Sequence, residues 1–211
     1  MTKNEIRECN PGKNGGGIPL KLRLGLVIDQ ERCIGCEACT VACKNENQGA
    51  VGFMRVRTQN AMHKDVPAAT FSGLKMTFMP LVCNHCDNPP CAGACPVDAI
   101  EKRRDGIVIL DSEACDGCGA CLEACPYAAI SFDEEKEVAE KCNLCSHRVD
   151  QGLEPFCVVC CEGQALHFGN LNDPKGAAGR MAGLETSFQL LPGQGIGPSV
   201  FYRPPLEPRG V

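Results

Sequence analysis

Apolar residues in this chain come in short runs, broken by glycine, proline and cysteine, and none approaches the ~20 residues that a membrane-spanning helix needs. The run RLGLVID (23–29) predicts a strand, and GIVIL (106–110) a second. AISF (129–132) and ALHFG (165–169) predict two further short strands. Short helices are expected near 37–45 and 119–124. Between them, 44–82 lacks a clear period and contains the breakers Pro67 and Gly73. After Gly169 the chain turns Pro/Gly-rich, and 170–211 shows no periodic apolar face. That tail reads either as a disordered end or as an arm ordered against a partner subunit, the latter favoured by Phe188, Leu190, Leu191, Phe201 and Tyr202.

Cysteine changes the picture. There are 18 in 211 residues, with no tryptophan and only 5% aromatics, so an ordinary large-side-chain core is in short supply. So much cysteine in a secreted chain would suggest a disulfide scaffold. Residues 1–28 lack the apolar core and small-residue cleavage site of a signal peptide, and the pair Arg103-Arg104 lies far too deep for a twin-arginine signal. The chain is therefore expected to be made, and loaded with metal, in the cytoplasm. Net charge is −5, from 21 basic and 26 acidic residues, with no basic stripe to suggest nucleic acid.

Sixteen of the cysteines form a repeat. Cys33, Cys36, Cys39 and Cys43 follow C-x2-C-x2-C-x3-C. Cys83, Cys86, Cys91 and Cys95 lengthen the middle gap, whereas Cys115, Cys118, Cys121 and Cys125 repeat the first spacing. Cys142, Cys145, Cys157 and Cys161 have a long gap before the third cysteine. A cubane needs four thiolates, and a tight loop wraps three of them around one cluster. The fourth cysteine, on the helix that follows, faces the second cluster of a two-cluster unit. Gly35 and Gly117 would let backbone amides approach the cluster. A structural zinc site would need paired CxxC elements and no recurring fourth cysteine.

Proline follows the fourth cysteine in the second and third groups (Pro96, Pro126), but Lys44 and Glu162 stand there in the first and last. This predicts an inner pair nested in an outer pair: an α+β fold of two bacterial-type ferredoxin-like units, each with two [4Fe–4S] clusters. The outer unit takes 22–43 plus 139–169, the inner unit 80–132 and an insertion 44–79, with extensions 1–21 and 170–211. The expected ligand sets are Cys33, Cys36, Cys39 with Cys161; Cys142, Cys145, Cys157 with Cys43; Cys83, Cys86, Cys91 with Cys125; and Cys115, Cys118, Cys121 with Cys95.

RCIGCEACTVAC, CNHCDNPPCAGACP, CDGCGACLEACPY and KCNLCSHRVDQGLEPFCVVCCEG, followed by FGNLNDP, resemble the four-cluster subunit of molybdopterin oxidoreductases. These are the beta subunits of the dimethyl-sulfoxide, polysulfide, thiosulfate and respiratory arsenate reductase group, and the likeness covers about 22–205. The resemblance implies a wire for electrons, with a molybdenum or tungsten bis-pterin catalytic subunit at one end. A membrane quinol subunit or a cytochrome stands at the other. It also implies that the first-group cluster lies nearest the catalytic subunit, in a membrane-associated complex on the periplasmic side by co-export with a partner, or on the cytoplasmic side. The third group keeps all four cysteines, so four [4Fe–4S] clusters are expected rather than a [3Fe–4S] substitute. The join between groups three and four is short, and Asn170 replaces a common aspartate.

A free-standing polyferredoxin is the competing function, and the long tail argues against it. Cys9 and Cys160 fall outside the repeat; the C-x3-C spacing from Cys157 favours Cys161 over Cys160 as ligand. His85 invites a Rieske reading, but those centres need two histidines and the cysteine set is already full, so a structural or second-sphere role is expected. Lys141, His147 and Arg148 would place positive charge near a cluster or simply face solvent. No catalytic constellation is present, so substrate chemistry would belong to a partner.

Overall fold

In a computed structural model the chain is described over residues 21–48, 52–59 and 77–206. Cys9, Pro67 and Gly73 lie outside these residues. The elements run β1 (Leu24–Asp29), α1 (Ala38–Asn47), β2 (Arg55–Gln59), β3 (Thr77–Leu81), α2 (Pro90–Gly93), β4 (Ile100–Lys102) and β5 (Val108–Leu110). They continue α3 (Ala120–Ala124), β6 (Ile130–Asp133), β7 (Val138–Lys141), α4 (Ser146–Val149), α5 (Phe156–Val159), β8 (Leu166–Asn170), α6 (Ala177–Ala182) and β9 (Val200–Arg203). The four expected strands are β1, β5, β6 and β8, and the two expected helices are α1 and α3, each within two residues of its bounds.

β1 is the centre of the only three-stranded sheet among the described residues, in the order β8-β1-β9. Leu26, Val27 and Ile28 are wholly buried, a continuous apolar run that suits a strand covered on both faces. β8 runs antiparallel to it, Leu26 opposite Phe168, so the two ends of the cysteine-bearing stretch are stitched together. The hairpins β4–β5 and β6–β7 lie between those ends in sequence. β2–β3 forms a further hairpin, in which Arg55 is paired with Leu81.

The tail is ordered against its own chain. β9 pairs parallel to β1, Leu26 opposite Val200. The Ser199 amide donates to the Asn84 carbonyl at 2.7 Å, and the Asp87 amide to that of Gly197 at 2.8 Å, so the tail also binds the second cysteine loop. Arg23 clamps this join, donating to the Pro198 carbonyl at 2.7 Å and pairing with Asp87 at 3.2 Å. A disordered end is thereby overturned for residues 170–206. Sequence periodicity missed the order because it comes from long-range pairing with β1.

Tyr202 anchors the tail. It is fully buried, donates to the Pro80 carbonyl at 2.9 Å and stacks on Phe188 with ring centroids 5.6 Å apart. Tyr202→Ala is expected to cost about 3–5 kcal/mol, as for other large buried aromatics. For a chain of this size that lowers the melting temperature of the iron-loaded protein by roughly 6–20 °C. Tyr202→Phe, which loses only the hydrogen bond, should cost about 1 kcal/mol. Calorimetry checks both, and an alanine variant melting within about 2 °C of the parent would contradict the anchoring role.

Candidate metal centres

Each cysteine loop opens onto a short helix through a residue in the left-handed region. Gly35 and Gly117 take φ of 68° and 72°. A side chain there would also collide: a Cβ on Gly35 would lie 2.5 Å from the Phe78 ring, and one on Gly117 2.4 Å from the Glu137 carbonyl oxygen. The corresponding positions in the other loops hold His85 and Leu144, with φ of 42° and 52° and both side chains buried. The loop conformation is therefore the common requirement, and glycine appears where a neighbouring hairpin presses on it.

Cys33, Cys36, Cys39 and Cys161 wall one cavity. Cys83, Cys86, Cys91 and Cys125 wall a second, together with Val108, Tyr127 and Ile130. The thiols of each group also act on one another. Burial pushes Cys39 up to about 11, and the charges of Cys161, Cys33 and Cys36 push the same way. Burial raises Cys86 to about 12, with Cys83, Cys91 and Cys125 adding to it.

The other eight cysteines gather likewise. Burial and then Cys145, Cys43 and Cys39 raise Cys157. Burial raises Cys142, followed by Cys83, Cys43 and Cys157. Asn47 Nδ2 approaches Cys43 Sγ at 3.6 Å, and where burial raises Cys145 the Asn47 side chain pushes the other way. Burial raises Cys121, with Cys115, Cys118 and Cys95 pushing the same way. Cys161, rather than Cys160, faces the first cavity.

Converging buried thiols such as Cys39, Cys86 and Cys157, with raised pKa values, are a poor site for free thiolates. They suit a cationic core that draws the protons off and binds the thiolates. The donor chemistry fits iron–sulfur clusters. Among the described residues, no group of three or more His, Cys, Asp or Glu is placed to hold a single metal ion.

One regularity was missed from sequence. The Ala99 amide donates to Cys95 Sγ at 3.3 Å, Ala129 to Cys125 at 3.5 Å and Ala165 to Cys161 at 3.2 Å. In each case the donor lies four residues after the last cysteine of its group, and the residue before it is left-handed: Asp98, Ala128 and Gln164. In the first group the Asn47 side chain occupies the same offset. Such N–H···S bonds favour the thiolate. The signal was the alanine repeated at that offset in three groups.

The flanking cations separate into two kinds. His147 and Arg148 reach Glu46 at 2.8 and 3.4 Å in a surface cluster. The His147 hydrogen bond is the main cause that lowers the Glu46 carboxyl. Lys141 is buried. His85 is buried too, with Nδ1 accepting from the Val108 amide at 3.0 Å. Burial, then Lys141 and Lys102, depresses its pKa well below the usual range.

Comparison with known proteins agrees with this chemistry. Models of the 4Fe–4S dicluster domain match residues 32–99 and 74–171. The B component of the tetrathionate reductase of Salmonella typhimurium is 40% identical, over 85% of this chain and 72% of its own length. The arsenate respiratory reductase iron–sulfur subunit of a Shewanella species is 33% identical, over 86% of this chain and 96% of its own. The B component of the polysulfide reductase of Wolinella succinogenes is also 33% identical, over 86% and 94%. The chain belongs to the iron–sulfur electron-transfer subunits of the dimethyl sulfoxide reductase family of molybdopterin oxidoreductases.

Proposed function

We propose that the chain relays electrons through four [4Fe–4S] clusters between a molybdopterin catalytic subunit and a second partner, a membrane quinol subunit or a cytochrome. Each cluster supplies a one-electron acceptor and donor. The proposed holders are Cys33, Cys36, Cys39, Cys161; then Cys43, Cys142, Cys145, Cys157; then Cys83, Cys86, Cys91, Cys125; then Cys95, Cys115, Cys118, Cys121. The shared cavities and the mutual effects of the thiols support these sets. Walls around a cavity, rather than ligands closing on a point, also favour a cubane over a zinc ion.

The observation that carries the relay is a gradient of exposure. Cys157 feels Cys39, and Cys142 feels Cys83, while Cys91 and Cys121 share one apolar core. These links order the sets as first, fourth, second and third group. The exposed cysteines of the repeat, Cys36 and Cys118, fall in the two end sets. All four thiols of the Cys43 set are buried, as are Cys83, Cys86 and Cys91. A path shielded in the middle and open at both ends suits a relay between two partners.

Nesting is supported by the β1–β8 pairing, which joins the outer segments around the inner hairpins. The tail no longer discriminates against a free carrier, because it is used inside the chain; the kinship with reductase subunits does so instead. On the arm, exposed Leu184, Leu191 and Leu206 are the positions proposed to meet a partner. No helix among the described residues is long and apolar enough to cross a membrane, so membrane attachment is proposed through that partner, on either face.

Iron analysis of the anaerobically purified complex should give about sixteen irons per chain, with a stoichiometric large subunit copurifying. A monomeric holo-protein in native lysate would sink the subunit reading. A metal–ligand map with Cys33 and Cys43 on one cluster would sink the pairing.

A further inference from the structure

We propose that Lys141 is a positioning residue whose buried charge sets the reduction equilibria of the two clusters that meet at the junction of the outer and inner units. These are the clusters of the Cys83 and Cys43 sets, so the inference rests on the four-cluster reading.

Lys141 ends β7 and is only 5% exposed. Its Nζ donates to the Cys142 carbonyl at 2.8 Å and to the Val108 carbonyl. Other partly buried cations have carboxylate partners: Lys102 and Arg23 pair with Asp87, Arg103 with Asp105 and Asp150, and Arg203 with Asp29. Among the described residues no carboxylate lies within ion-pair distance of Lys141. A buried ammonium held only by carbonyl oxygens is costly, and it calls for a negative charge nearby.

The surroundings say where that charge belongs. Val108, whose carbonyl Lys141 binds, and Ile130, its cross-strand partner, both line the cavity walled by Cys83, Cys86, Cys91 and Cys125. On the other side the next residue is Cys142, of the Cys43 set. The Lys141 charge reaches Cys91, where it opposes the upward push of burial. Lys141 thus stands between two thiolate-held, anionic sites, at the point where Cys83 and Cys142 adjoin. An electron arriving at either site adds negative charge, and a fixed cation in a low-dielectric interior favours that reduced state.

The test uses the complex with its large subunit, purified without oxygen and followed by EPR during redox titration. Lys141→Gln keeps hydrogen-bond donors but loses the charge; Lys141→Met loses both; Lys141→Arg keeps the charge. Lys136→Gln is the control, an exposed lysine on the same hairpin that pairs with Asp133 and Glu140. Both neutral variants should shift the reduction equilibrium of two clusters roughly tenfold or more toward the oxidised form, about 59 mV or more for a one-electron couple. Lys141→Arg and Lys136→Gln should titrate as the parent.

A fully iron-loaded Lys141→Gln with parental potentials would overturn the inference, as would an equal shift of all clusters. Neutral variants that lose the two junction clusters while Lys141→Arg loads fully would support it, since the charge is then required for assembly. Loss in Lys141→Arg as well would assign the residue to packing. Iron far below about sixteen per chain in the parent complex would sink the four-cluster reading itself, a result distinct from any of these.

Discussion

Stripping the iron from this chain is expected to unfold it. Among the described residues the main core holds fourteen buried side chains, and five of them, Cys39, Cys43, Cys83, Cys142 and Cys157, are proposed ligands. Without a cluster their thiols would face empty or hydrated space where other proteins place leucine or phenylalanine. Nothing local replaces the loss. Among the described residues α1 has ten residues and the other α-helices four to six, well under the length at which helices persist alone. Outside the β1 sheet every sheet among the described residues is a two-stranded hairpin, marginal in water by itself.

Binding energy of the cluster is then largely folding energy, on the order of 10 kcal/mol if a structural metal site is a guide. That is comparable with the whole stability of an ordinary domain. Anaerobic treatment with a strong chelator should abolish far-UV circular dichroism and the cooperative melt together with the iron absorbance. A stripped chain that kept both signals would show that the apolar contacts around Leu26, Ile28 and Tyr202 suffice.

Much of the proposed site was legible in sequence because ligand spacing is local. A three-residue step between cysteines fixes a loop, and four such loops can be read without knowing how they pack. β1 was legible for a similar reason, its run Leu24–Asp29 being apolar almost throughout. β9 was not. Its four residues have no period to read, and they become a strand only beside β1, more than 170 positions earlier in the chain. α4 and α5 span barely one turn, too short for any amphipathic pattern. Lys141 was visible as a basic residue beside Cys142, yet sequence alone gave it no more weight than His147 or Arg148. Burial separates them, and burial is a property of the assembled hairpins.

Replacing Cys142 by serine is expected to break the relay in its middle while leaving its ends in place. Cys142 is deeply buried between Cys83 and the thiols of Cys43 and Cys157. Serine would leave a hydroxyl among apolar groups at a cost of about 1–3 kcal/mol, and would remove one of four proposed ligands. Iron should fall by up to about four atoms per chain. Electron transfer from end to end should fall at least the roughly 100-fold that loss of even an outer-sphere partner can cost a metal site.

Cys118→Ser makes the comparison decisive. Cys118 is exposed and belongs to a proposed end set, so its loss should remove a comparable amount of iron without interrupting the interior. Reduced through the large subunit, the Cys142 variant should fill only the cluster of the first cysteine group, whereas the Cys118 variant should fill three. EPR after anaerobic reduction counts them. Equal filling in the two variants would mean that electrons do not pass the clusters in the order first, fourth, second and third group. The junction beside Lys141 would then no longer be the crossing point between the two units.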